Sequence, residues 1–243
     1  MLISVINYST ISDEDVHVAI RAVNRQIAED FAPYWGFGGT LRLDGGVGKE
    51  PDQQNLSELR GDAMLYLYDN TNPQGALGSH GQSARGVPYG FVFADLCVRV
   101  GDPWCMTLSH EALELLGDPQ GNLLAKGPHP ADPTRQVFHW FEMCDAVQND
   151  WYWVDGCKVS NFVLPSYFTP GEELGGRNDF LGRKDANGNG LTSFGARPGG
   201  YIGYFDPQIN GIDYWHGELD TVAAARMAIK QEAGAGRAVL LRE

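Results

Sequence analysis

The sequence predicts an α+β fold, and three observations carry the prediction. An opening strand leads into a long amphipathic helix, a strongly apolar strand lies at residues 63–68, and a second, mostly apolar helix carries His110, Glu111 and Glu114. Residues 2–8 are rich in branched side chains and read as the first strand. Ser12 followed by Asp15 is a capping-box-like helix start, with Asp13 and Glu14 in the first turn. Val16, Ala19, Ile20, Val23, Ile27 and Phe31 recur at helical spacing, which predicts a helix to about residue 31. Pro33, Gly36, Gly38 and Gly39 end it. Residues 40–43 read as a short strand, 45–57 as a polar loop, and Ala63 to Tyr68 as the best buried strand. A Gly- and Asn-rich loop through Gly86 precedes two more strand candidates, 89–94 and 96–100. The His110 helix follows and is stopped by Gly117 and Pro119.

Composition narrows the function. The 243 residues are 43% hydrophobic and 20% charged, an ordinary globular balance with enough length for a substantial core. A net charge of −13 without clustered Lys or Arg argues against nucleic acid or an anionic membrane as partner. No run of about 18 apolar residues predicts a membrane span. The N-terminal residues lack the basic region of an export signal, so the expectation is a cytoplasmic protein. Cys97, Cys105, Cys144 and Cys157 have no C-x-x-C spacing and are expected to be reduced and buried, with a Cys144–Cys157 encounter across a hairpin as a lesser alternative.

The segment Thr107-Leu108-Ser109-His110-Glu111-Ala112-Leu113-Glu114-Leu115-Leu116-Gly117 carries the chemistry. Positions i and i+4 share a helix face, so His110 and Glu114 can reach one metal ion, with Glu111 beside them as a general base. The leucines and Ala112 cover the other faces and predict a buried helix, whose polar groups then need partners. The competing reading is a core histidine bonded to a neighbouring acid, with Glu114 exposed.

Residues 1 to about 120 resemble the zincin metallopeptidases, and their metzincin branch most closely, in element order and in this helix. The family pattern is His-Glu-x-x-His-x-x-Gly-x-x-His/Asp. His110, Glu111 and Gly117 match it, Glu114 replaces the second histidine, and Gln120 stands where the third ligand belongs. The resemblance implies a zincin-like core (residues 1–168) with a mixed, mostly antiparallel sheet packed on the long N-terminal helix and the active-site helix. Residues 169–243 would be an irregular C-terminal extension with a terminal helix. It also implies bound zinc, a peptide or protein substrate, and an antiparallel edge strand at 87–93 that binds extended peptide. Pro88 suits such an edge.

A third ligand is sought in the stretch Phe138-His139-Trp140-Phe141-Glu142-Met143-Cys144-Asp145, where acids sit among heavy hydrophobics. Glu142 is the first choice, completing a His110, Glu114, Glu142 set, with Asp145 and His139 in reserve. This stretch reads as opening a hairpin closed by residues 151–154. Asp118 reads as a cap or a group behind the ligands. Met143 is either a core methionine or the methionine that lies beneath the metal in metzincins. His17 and His129 read as surface residues, and His80 and His216 receive no place. Two carboxylates and a neutral imidazole leave a divalent centre uncharged, which activates water less than His-His-Glu and relaxes selectivity for zinc over other divalent transition metals.

Further on, residues 158–168 read as a strand entering a turn, 171–200 as a long loop, 201–205 as a strand and 218–232 as a helix. Asp185-Ala186-Asn187-Gly188-Asn189-Gly190 matches half of a calcium loop, but Ala196 stands at its twelfth position, and an Asn-Gly turn is the simpler account. Tyr167, Tyr201 and Tyr204 read as packed aromatics before oxyanion donors. The leading function is a metal-dependent hydrolase using Glu111, the second a catalytically silent zincin-like protein that holds a peptide or partner strand, and the third and weakest a calcium-dependent surface protein built around the Asp185 loop.

Overall fold

A computed structural model describes residues 1–44, 61–69, 77–83, 85–171 and 177–217. The expected 45–57 loop and 218–232 helix lie outside the described residues. The first sheet has five strands: β1 (Leu2–Asn7), β2 (Thr40–Leu43), β3 (Ala63–Tyr68), β4 (Gly78–Gln82) and β5 (Pro88–Phe93), in the order β2-β1-β3-β5-β4. All pairings are parallel except β4 with β5. The sheet against the helices is thus mostly parallel, which corrects the antiparallel expectation. Apolar runs such as Ala63–Tyr68 suit this, because parallel strands are covered on both faces.

Helix α1 (Asp13–Arg25) begins at Ser12, whose hydroxyl accepts the Asp15 N–H at 3.1 Å. Its Val16, Ala19, Ile20 and Val23 are buried. The regular α-helix stops six residues before Phe31, because Gln26–Phe31 form a π-helical turn before the short α2 (Ala32–Trp35). That turn carries the amide of Gln26 inward. Gly36, at φ 74°, closes the segment in the left-handed conformation favoured by glycine.

Residues 96–100 are not a strand. Helix α3 (Ala94–Arg99) takes in 96–99 and is capped by Val100, with Asp95 in its first turn and Arg99 in its last. Leu96 and Val100 are buried while Val98 is 71% exposed, which is helical rather than alternating spacing. Helix α4 (Trp104–Gly117) then runs through the core against β5, β4 and the later strands.

The second sheet, in the order β11-β10-β7-β6, is antiparallel: β6 (Leu124–His129), β7 (Asp132–Trp140), β10 (Tyr201–Asp206) and β11 (Gly211–His216). It draws strands from both sides of residue 168. Residues 138–145 do not pair with 151–154. Instead β8 (Trp151–Val154) pairs with β9 (Cys157–Ser160) through Asp155 and Gly156, at φ 47° and 84°. This is the Asp-Gly two-residue hairpin turn, whose positive φ values match the strand twist.

Candidate metal centre

Helix α4 is buried on nearly every side, and a buried polar lock fixes it one residue before His110. Ser109 Oγ donates to Gln26 Oε1 at 2.7 Å and accepts the Ser160 N–H at 3.0 Å. Gln26 Nε2 in turn donates to the Ser160 carbonyl at 2.8 Å, so α4, the π turn and β9 are tied together. At the other end, Gly117 has no room for a side chain, since a Cβ there would lie 2.7 Å from Met143 Sδ. Met143 is fully buried beneath this helix end.

The loop after β7 passes under α4 and delivers three groups. The Cys144 N–H donates to Glu114 Oε1 at 3.2 Å, Asp145 Oδ1 lies 3.3 Å from His110 Nε2, and Glu142 comes within reach of β4. His110 Nε2 and Glu114 Oε2 converge to 3.1 Å, as expected for one helix face. Glu114 is 2% exposed, which removes the alternative that left it in solvent.

His80, unplaced by sequence, stands at the centre. It projects from β4, the antiparallel edge strand, with Nδ1 3.3 Å from Glu111 Oε2 and 3.4 Å from Glu114 Oε2. Its Nε2 lies 3.3 Å from Glu142 Oε2. The expected edge, 87–93, is an interior strand, and β4 covers it. Gly78 lets Glu111 pack closely on β4, because a Cβ at residue 78 would come within 2.8 Å of its carboxyl carbon.

Burial is the largest influence on both imidazoles and favours their neutral forms. Glu142, Glu111 and Glu114 outweigh it at His80, and Glu114, Asp145 and Glu111 at His110, so both histidines are held well above the ordinary range. Burial pushes Glu114 up to about 7; His110 opposes this, while Asp145 and Glu142 add to it. Burial, and then the charge of Glu114, raises the Cys144 thiol well above its usual range.

Other candidates are engaged elsewhere. His139 Nε2 is bound at 2.8 Å to the Pro128 carbonyl and its ring packs on Phe194; burial pulls it down to about 4. Asp118 accepts the Leu123 N–H at 2.8 Å and so holds the turn after α4. His129 is buried rather than exposed, because its Nδ1 accepts the N–H groups of Ala131 and Asp132. His17 and His216 are exposed. The hydroxyls of Tyr167 and Tyr204 face the Gly195 carbonyl and Asp213. All four cysteines are buried and none forms a disulfide, and Cys157 interacts with Cys105 rather than Cys144. Asp185 Oδ1 accepts the N–H groups of Asn187 and Asn189 at 2.8 Å, a self-contained turn.

No protein-family model, curated protein or solved structure matches the chain. The donors form two compact groups, His110 with Glu114 and Cys144, and His80 with Glu114 and Glu142, each with ligand atoms within 4.8 Å of one another. Glu142 Oε2 is buried and, although His80 Nε2 lies 3.3 Å away, makes no hydrogen bond of good geometry. Imidazole and carboxylate donors, with one thiol beside His110 and Glu114, suit a divalent transition ion, so the residues fit such a group. Among the described residues, no helix is long and apolar enough to cross a membrane.

Proposed function

We propose that this protein is a divalent-metal hydrolase acting on peptide bonds. His110, Glu114 and a carboxylate of the 142–145 loop would hold the ion, with Asp145 the nearest to His110 and Glu142 facing His80. The observation that carries the reading is that Glu114 Oε2 and Asp145 Oδ1 lie 3.1 and 3.3 Å from His110 Nε2, with Glu111 alongside. When bound, a zinc-like ion supplies Lewis acidity toward a carbonyl and toward water.

Glu111 takes a proton from the attacking water as its oxygen adds to the scissile carbonyl carbon. It then returns that proton to the amine nitrogen as the C–N bond breaks. His80 orients Glu111, at 3.3 Å, and Gly78 keeps the space for its carboxylate. Among the described residues β4 pairs on one side only, which leaves backbone groups for an extended peptide to join. Glu111→Gln tests the reading: it should keep bound metal but lose hydrolysis of a peptide library, and retained turnover would remove Glu111 from its role.

A second reading draws on a different observation. The cluster already satisfies itself by histidine–carboxylate contacts, as a metal-free cleft that holds a peptide or partner strand would. Failure of the chelator-free protein to carry or take up zinc would favour it.

A further inference from the structure

Glu114 is the carboxylate that both histidines touch. Its Oε2 lies 3.1 Å from His110 Nε2 and 3.4 Å from His80 Nδ1, while Oε1 is held by the Cys144 N–H. The imidazoles come from different elements, α4 and β4, and approach that oxygen separately. Each brings its own further carboxylate: Asp145 Oδ1 at 3.3 Å from His110 Nε2, and Glu142 Oε2 at 3.3 Å from His80 Nε2. Of the two compact donor groups, only Glu114 belongs to both.

Formal charge points the same way. A histidine that ligates a metal is neutral, so Glu111, Glu114, Glu142 and Asp145 then carry four negative charges among six side chains that are 3–18% exposed. One divalent ion leaves half of that charge in a poorly solvated space, and a second balances it. Buried carboxylates are costly unless so compensated.

We propose that the cluster is a two-ion centre, with Glu114 Oε2 shared. The inner position uses His110 and Glu114, with the Cys144 thiol of that compact group and Asp145 Oδ1, 3.3 Å from His110 Nε2, as the further donors at hand; the outer uses His80, Glu114 and Glu142. The outer set is imidazole and carboxylate and the inner one also has a thiol within reach, a mixture that suits a borderline ion such as zinc or cobalt. His80 Nε2 faces Glu142 and its Nδ1 faces Glu111, so one ring serves the outer position and steadies the base. The proposal rests on the metal-site reading above and extends it.

The test is titration of the chelator-stripped full chain with Co(II) alone, followed by metal analysis after gel filtration and electron paramagnetic resonance. The expected result is about two equivalents per chain, with magnetic coupling between them; His80→Ala and Glu142→Gln should each retain about one, uncoupled. Circular dichroism checks folding, and the near-isosteric Glu142→Gln decides the matter should His80→Ala not fold. About one equivalent in the parent protein overturns the paired centre while leaving a single-ion hydrolase intact. Two equivalents retained in both variants overturn it as well, by placing the second ion elsewhere. No uptake at all overturns both this proposal and the hydrolase reading.

Discussion

Replacing Ser109 by alanine is the sharpest structural perturbation of the site that leaves every proposed ligand in place. Ser109, Gln26 and Ser160 are all fully buried, and the serine hydroxyl serves two of their polar groups at once. Its removal orphans Gln26 Oε1 and the Ser160 N–H. Each orphaned buried group costs about 1–3 kcal/mol. Two at about 1.5 kcal/mol each, less about 0.5 kcal/mol gained from alanine's helix propensity, give a net loss of about 2.5 kcal/mol. For a domain of this size that is a fall in Tm of about 5–10 °C. Urea denaturation of Ser109→Ala beside the parent, with metal removed from both, measures it. A double-mutant cycle with Gln26→Met should show about 1 kcal/mol of coupling. A loss below about 0.5 kcal/mol would refute the claim that this hydroxyl locks α4 to the π turn and β9.

Other consequences follow from the same geometry. Glu111→Gln should lower hydrolysis by about a hundredfold or more while metal content is unchanged, as read by turnover and plasma mass spectrometry. Gly117→Ala forces a methyl against Met143 and should cost about 1–3 kcal/mol of stability in a thermal melt; a neutral effect would mean that Met143 is free to move. His139→Phe should leave metal binding unchanged, because that ring is engaged with Pro128 and Phe194. In the metal-free protein the site's pH dependence runs opposite to that of ordinary carboxylates. His80 and His110 are raised when folded, so their stabilisation is full below the ordinary 6.5 and is lost as pH rises through their higher folded values. Glu114, raised from 4.5 to about 7, likewise gives stability that is lost as pH rises through that window. Ions compete with the same protons, so metal affinity should rise with pH over this range, checked by zinc titration at pH 5.5 and about 7.5.

Much of the centre was legible because helix geometry is local. The spacing of His110 and Glu114 put them on one face, and acids in an apolar stretch after residue 138 pointed to Glu142 and Asp145, both of which reach the cluster. His80 was not legible. It arrives by the pairing of β4 with β5, a contact between a Gly-rich segment and a strand that no periodicity announces. Residues 96–100 were misread as a strand because a short apolar run is ambiguous, and the burial of Leu96 and Val100 decides for a helix. The hairpin assigned to 138–154 lost to the Asp155-Gly156 turn, a signal that was present in the sequence. Prolines 128, 130 and 133 obscured the β6–β7 pairing, where the ladder tolerates them at its bulged end. The parallel order of the first sheet depends on non-local pairing and lay beyond any local pattern.

The central claim is that His110 and Glu114 hold a metal ion. Plasma mass spectrometry of protein purified without chelator or metal-affinity resin, beside His110→Ala, tests it directly. At least about one zinc-like ion per chain is expected, diminished in the variant. No bound metal in the parent protein, and no uptake when zinc is added, would contradict it and leave the ion-paired, metal-free cleft as the function-bearing feature.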